Sequence, residues 1–163
     1  MKKYIVLAVI ILLLQILDNC VVPFIGINGY SPSLLFVFAL SYSIVNGDWS
    51  CLWIGLITGF LQDINFFNGF GVNLFTNVLI CFAAGIVGKN LFKEKIFIPT
   101  ISIFVMTFVK GLLIFVILYM CGENTNVNIS FYNALYNFVV SIFMYKAVYK
   151  LCQKDYMIKK WGF

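Results

Sequence analysis

Residues 49–77 of the chain are WSCLWIGLITGFLQDINFFNGFGVNLFTN. An apolar run ends in an acid, Asp63; a glycine-rich turn follows, and a second apolar run opens near Asn73. An ionisable side chain inside a membrane costs free energy, so an acid at the end of such a run indicates a structural or functional role. The segment therefore predicts two membrane helices joined by a short turn, with Asp63 at the joint.

The composition of the whole chain agrees with a membrane protein. Of 163 residues, 63% are hydrophobic and 10% are charged, and the mean hydropathy is +1.00. Soluble domains are usually about 45–50% apolar. We therefore expect a single polytopic membrane domain over residues 1–163, with no room for a separate soluble domain.

Six apolar runs predict an all-α integral membrane protein built as a bundle of six transmembrane helices. The runs cover approximately residues 4–22, 32–46, 49–63, 71–88, 97–121 and 131–150. The second and third runs are short, because 15 helical residues rise roughly 22 Å and the hydrocarbon layer is about 30 Å thick. They form either short spans in a thinned bilayer or a re-entrant hairpin.

The lysines predict the orientation. With six spans and an N-terminus inside, every lysine outside the spans falls on the cytoplasmic side, where basic residues concentrate. Both termini are therefore expected in the cytoplasm. The last residues, 146–163, are expected to form a basic amphipathic tail along the membrane surface.

Helical spacing gives the third run two different faces. One is small and polar, with Gly55, Thr58, Gly59, Gln62 and Asp63. The opposite face is large and apolar, with Trp49, Trp53, Leu56 and Phe60. Glycines four residues apart allow close helix contact in membranes.

The neighbouring runs carry polar stripes as well. Asn73 and Asn77 open the fourth run, and Asn133, Asn137 and Ser141 follow one another on the sixth. Together with the third run they predict either a cavity open to the outside or a surface that docks a protein. Asp63 has a simpler possible role, since backbone amides at Gly71 to Asn73 are free to be capped by it.

Lys110 is a charge in the middle of the fifth run. A lysine there costs about 2.5–3.5 kcal/mol on insertion scales unless it finds a partner. Asp18 and Asp63 both lie in the outer halves of their runs. We therefore predict that Lys110 pairs with one of these two acids.

Enzymatic chemistry is poorly supported by the sequence. The chain has no His, no nucleotide-binding glycine motif and no pair of its five cysteines at metal-binding spacing. We expect no catalytic residues, no cofactor, no metal site and no nucleic-acid partner.

The motif around Gly55, Gly59-Phe60, Gln62-Asp63, Gly69, Gly71 and Asn73 resembles the MreD family of rod shape-determining proteins. Pro32-Ser33-Leu34-Leu35 is similar to that family's Pro-Asp-Leu-Leu entry to the second helix, with Ser33 in place of the acid. The resemblance implies a non-catalytic scaffold subunit of the cell-wall elongation machinery in the bacterial cell membrane. It implies MreC as the partner, with RodA, a penicillin-binding transpeptidase and MreB in the same assembly. It also implies that the glycine-lined face docks a partner.

A second resemblance points to a different class of function. The small six-helix layout is similar to substrate-binding subunits of energy-coupling-factor vitamin transporters, which hold a small molecule near the outer face. The small-residue coupling motif of that family is missing from the first run, which contains Ala8 alone among alanines.

Overall fold

The fold is a helical bundle. The computed structural model describes residues 2–26, 31–47, 49–65, 71–90, 96–122, 127–154 and 157. Within these residues the elements are α1 (Lys2–Cys20), α2 (Val22–Ile25), α3 (Leu34–Asn46), α4 (Ser50–Ile64), α5 (Val72–Asn90), α6 (Phe97–Met120) and α7 (Val127–Cys152). Because α2 is one turn that continues α1, the bundle has six principal helices, and the predicted all-α class is confirmed.

The helices of the bundle differ in length and in polarity. In the described part of the chain, three segments are long and apolar enough to cross a membrane: Lys2–Phe24, Val72–Asn90 and Phe97–Met120. The helices α3 and α4 have only 13 and 15 residues, which confirms that the second and third principal helices are short. The last helix, α7, has 26 residues and is more polar.

The short helix α3 forms the centre of the bundle. Ten of its 13 residues are buried, and it contacts α1, α4, α5, α6 and α7. A helix that is apolar on all sides is stable only when other helices surround it. The core of the molecule is therefore α3 with the other helices around it.

Glycines bring α4 and α5 into direct backbone contact. A Cβ atom at Gly59 would lie 2.5 Å from the Leu74 Cα atom, and one at Gly55 would lie 2.9 Å from the Asn77 carbonyl oxygen. No side chain fits at either place. The small face of α4 is therefore filled by α5 of the same chain.

The two ends of the bundle differ in chemistry. At one end, Lys3 Nζ donates to the Met157 carbonyl at 3.1 Å, so the start and the end of the chain meet there. The backbone at Gly47 lies against the side chain of Lys89 at this same end. At the opposite end the acids Asp18 and Asp63 sit at the starts of α3 and α5.

Part of the sequence-based expectation falls outside the described residues. This applies to Gly69 of the motif, to the loop lysines Lys93 and Lys95, and to Lys159 and Lys160 of the tail. The described part of the predicted tail continues α7 as far as Cys152 and then turns.

Candidate functional site

Asp63 begins α5. One carboxylate oxygen accepts hydrogen bonds from the backbone N–H groups of Gly71 at 3.0 Å and Leu74 at 2.8 Å, and the other accepts from Asn73 N–H at 2.9 Å. The side chain is 2% exposed. The first N–H groups of a helix lack partners within it and carry partial positive charge, so a carboxylate there is stabilising. Asp63 thus has the capping role that the sequence offered as its simpler interpretation.

Asp18 does the same for α3. Its carboxylate accepts from Leu34 N–H at 2.8 Å, from Leu35 N–H at 3.0 Å and from the Ser33 hydroxyl at 3.3 Å. Ser33 is itself the N-cap residue, and its hydroxyl accepts from Phe36 N–H at 3.4 Å. The acid that is missing at position 33 is thus replaced by one from α1.

Gln62 is the hub between these two caps. Its Nε2 donates to Ser33 Oγ at 2.7 Å. Its Oε1 accepts from Asn77 Nδ2 at 2.9 Å and from Lys110 Nζ at 3.1 Å. One amide therefore joins α4 to the start of α3, to α5 and to α6.

Lys110 contacts a neutral partner rather than a carboxylate. Besides its bond to Gln62, its ammonium lies 3.9 Å from the centre of the Phe36 ring, and the residue is 7% exposed. Among the described residues, no hydrogen bond joins it directly to Asp18 or Asp63. The link to Asp18 runs instead through Gln62 and Ser33.

Two further residues complete the cluster. Asn137 of α7 accepts the Ser33 backbone N–H at 2.8 Å, and Gln15 of α1 donates to the Leu61 carbonyl at 2.9 Å. With Asn137, all six principal helices contribute to one hydrogen-bonded network of side chains: Asp18, Ser33, Gln62, Asn77, Lys110 and Asn137. We call this network, together with Gln15 and Asp63, which bind the backbone of α4 and α5 beside it, the polar centre. Such contacts hold membrane helices together.

A pocket of about 290 Å³ opens beside the polar centre. Its walls come from α1, the residues before α3, the end of α4 and the start of α5; the side chains on them include Gln15, Asp18, Asn19, Gln62, Asn65 and Asn73. The sequence predicted that the polar faces of the third, fourth and sixth runs form either a cavity or a docking surface. The pocket is lined by residues of the third and fourth of these runs and also by α1, and none of its described lining residues comes from α7.

The remaining motif residues fall in different places. Gly55 and Gly59 are packed against α5, so the face that the resemblance assigns to docking is covered within the chain. Phe60 points to the outside of the bundle. Asn77 is fully buried, with its Oδ1 atom lacking a hydrogen bond in the described structure. Gly71 has a φ of 100° at the turn into α5, a conformation that favours glycine.

Sequence reasoning missed Gln15 and the central position of Gln62. A signal was present, because Gln15 and Asp18 are polar residues three positions apart in an otherwise apolar run and so share a face. Nothing in the spacing, however, indicated that this face meets Ser33 and Leu61.

The described residues contain no group of three or more His, Cys, Asp or Glu side chains that are placed to hold a metal ion. The charged groups of the polar centre are engaged by helix starts and by an amide. The arrangement supports helix assembly more directly than proton or metal chemistry.

Comparison with known proteins places the chain in a family. No significant match was found among curated proteins or among solved structures. The family model described as rod shape-determining protein MreD matches residues 1–155, nearly the whole chain. This match includes every helix and the polar centre, and it confirms the first of the two resemblances. The chain, in which Asp63 closes the turn between the third and fourth principal helices, therefore belongs to the MreD family of rod shape-determining proteins.

Proposed function

We propose that this protein is a non-catalytic scaffold of the cell-wall elongation machinery in the bacterial cell membrane, which binds MreC and organises the peptidoglycan synthases. Its family gives the general role, which is rod shape determination. The scaffold role, the partner and the absence of catalysis are our inferences. RodA, a penicillin-binding transpeptidase and MreB belong to the same proposed assembly.

The use of the charged side chains supports a binding role. Both oxygens of Asp63 and both oxygens of Asp18 accept hydrogen bonds at the starts of helices. A general base must be free to take a proton from a substrate. These two acids stabilise the bundle instead, and this is the observation on which we rest the non-catalytic assignment.

The outer face of α4 is the surface we assign to MreC. With 15 residues, α4 is shorter than the membrane core and would thin the surrounding lipid. The still shorter α3 is buried inside the bundle, whereas α4 exposes Trp53, Leu56 and Phe60 on one side. The single membrane helix of MreC, packed on this side, would replace mismatched lipid with protein.

We also infer that the basic end of the bundle is cytoplasmic and that the chain crosses the membrane six times. Lys3 and Met157 are in contact, so the two ends of the chain share a side. Lys89 and Lys150 lie in the last turns of α5 and α7, whose C-termini point to that end. Lysine-rich ends of membrane proteins remain in the cytoplasm. The Asp18 and Asp63 caps then face outward.

The test combines cell shape with recovery of the partner. Depletion of the protein in its host should turn rods into spheres and should remove the lateral pattern of the penicillin-binding transpeptidase. Trp53→Ala, expressed at the native level, should lower the amount of MreC recovered with the protein and should round the cells. Large aromatic side chains at the centre of an interface carry much of its binding free energy.

Phe143→Ala is the matched control, because Phe143 is an exposed aromatic residue on α7. It should leave MreC recovery and cell shape unchanged. Equal recovery of MreC with both variants would remove α4 as the docking face. Rods that persist after depletion, with growth that requires an added vitamin, would reject the scaffold role and favour the transporter class.

A further inference from the structure

We infer that the pocket beside the polar centre binds an uncharged sugar moiety. This inference goes beyond the scaffold function, since neither MreC binding nor the orientation of the partners requires a ligand. It rests on the free hydrogen-bonding groups of the pocket, on its charge and on its size.

The main evidence for a ligand is the side-chain amide of Asn73 on the pocket wall. The residue is 8% exposed and lines the pocket. Its backbone N–H is bound to Asp63, but its side-chain amide makes no hydrogen bond to any described residue. The amide of this mostly buried residue is open to the pocket, where the hydroxyl groups of a ligand can take the place of water as its hydrogen-bond partners.

Other lining groups also have unused hydrogen-bonding capacity. Asn65 is exposed at the rim. Gln15 uses its Nε2 atom on the Leu61 carbonyl, and Asn19 uses its Nδ2 atom on the Gln15 carbonyl, which leaves both side-chain oxygens as acceptors. An amide offers two donors and one acceptor at short spacing. Several such groups around one space match a ligand whose groups both donate and accept.

The charge of the pocket excludes ionic ligands. Asp18 is the one charged side chain among the described lining residues. Its negative charge disfavours a phosphate or a carboxylate. A cationic ligand is not favoured either, because the partial positive charge at the start of α3, whose N–H groups bind both Asp18 oxygens, offsets the negative charge of Asp18. The favoured ligand is therefore neutral and polar.

A sugar ring meets these requirements. Neighbouring hydroxyl groups on a rigid ring both donate and accept hydrogen bonds, as the amides of the wall require. The volume of about 290 Å³ is close to the lower end of small-molecule sites. The pocket lies at the end opposite to the basic end, so a ligand from outside would reach it without crossing the membrane.

The experiment measures binding of N-acetylglucosamine to the full chain in lipid nanodiscs by ligand-observed NMR, since glycoside detergents would compete for the pocket. A second arm replaces the free sugar with monoglucosyl diacylglycerol in the nanodisc. Binding of the free sugar identifies a soluble source, and binding of the glycolipid alone identifies a lipid-anchored one. Both results support a sugar site.

The variants locate the site. Asn73→Leu is close to Asn in size and should weaken binding about tenfold. Asn65→Ala changes an exposed residue, leaves the packing intact and should weaken binding several-fold. The control is Asn133→Leu on α7, because Asn133 also has an unpartnered amide oxygen but lies outside the pocket; this variant should bind as the wild type does.

Three results would overturn the inference. The first is no binding of either sugar to the wild type. The second is unchanged binding by both Asn65→Ala and Asn73→Leu, which would place the sugar elsewhere. The third is tighter binding of glucosamine 6-phosphate than of N-acetylglucosamine, which would reject a neutral ligand. None of these results bears on MreC recovery, so the scaffold proposal is tested separately.

Discussion

Asp63 and Asp18 have the same function at two places in the bundle, but in different surroundings. Asp63 is almost completely buried and closes the α4–α5 turn, which joins neighbouring helices of the sequence. Asp18 is partly buried, lines the pocket and reaches α3 from α1. The Asp63 cap is a local contact between two closely packed neighbouring helices, and the Asp18 cap is a contact between α1 and α3 at the wall of the pocket.

The difference shows how much each cap depends on its neighbours. Three backbone N–H groups bind the Asp63 side chain, which is 2% exposed, and no other described side chain accepts a hydrogen bond from them. At α3 the Ser33 hydroxyl is a second cap, and the pocket lets water approach. We therefore expect the Asp63 cap to contribute more to stability than the Asp18 cap.

The largest effect is expected for Asp63→Ala. Three N–H groups at the start of α5, one of them buried, lose a charged acceptor, and the free energy of unfolding should fall by about 4 kcal/mol. The measurement is the loss of helicity in detergent micelles as sodium dodecyl sulfate is added. Asn65→Ala, two residues away and exposed, is the control and should stay within about 0.5 kcal/mol of wild type. A loss of stability for Asp63→Ala that is no larger than the loss for Asp18→Ala would contradict the expectation that the Asp63 cap contributes more to stability.

A slightly smaller loss, about 3 kcal/mol, is expected for Gly59→Leu. The new side chain would meet the Leu74 backbone, separate α4 from α5 and move Asp63 away from the N–H groups it caps. The same unfolding titration measures the change. Ala147→Leu introduces the same side chain on an exposed part of α7 and should be neutral. If Gly59→Leu were as stable as the wild type, α4 would not pack against α5 through Gly59, and the docking role that the resemblance implies for this glycine would be favoured.

The two caps also differ in how far the sequence reveals them. Asp63 lies 8 to 11 residues from the amides that it binds, and the glycine-rich turn indicates that the chain returns there. The hydrogen bonds of Gln62 connect residues 15, 29 and 48 positions away. Helical spacing identifies which residues share a face, but not which face of a distant helix meets it.

The same limit explains the interpretation of Lys110. Its charge indicated that a partner was needed, and the acids were the obvious candidates in the sequence. In the fold, the capping of α3 and α5 engages the acids, and Lys110 binds the amide of Gln62 and the ring of Phe36. Class, helix number and the two short helices follow from hydropathy and length, whereas the polar centre depends on tertiary packing.

A compensation experiment tests the Asp18 cap. Asp18→Ala alone should lower the free energy of unfolding by about 2 kcal/mol, because Ser33 still caps α3. Ser33→Asp, which restores the acid at the position where the family resemblance expects one, should recover most of this loss. In the presence of Asp18 the same change should destabilise, since the two carboxylates would lie near the 3.3 Å that now separates Ser33 Oγ from Asp18.

The double-mutant cycle with Asp18→Ala, Ser33→Asp and the combined variant measures this coupling in the same titration. Strictly additive losses would mean that the two positions act independently and that an acid at position 33 does not replace the Asp18 cap. A favourable Ser33→Asp single variant would show that Asp18 does not approach the start of α3 closely.

The smallest effect is expected for Lys110→Met, which should change the free energy of unfolding by about 1 kcal/mol or less in either direction. Methionine keeps the packing volume and removes the cost of a buried charge, while Gln62 Oε1 retains its bond from Asn77. If Lys110 instead neutralised either acid directly, its removal would leave an uncompensated buried carboxylate and cost about 3–5 kcal/mol. A small change in this variant, beside the large loss in Asp63→Ala, would show that the starts of the helices, rather than the lysine, stabilise the charges of the polar centre.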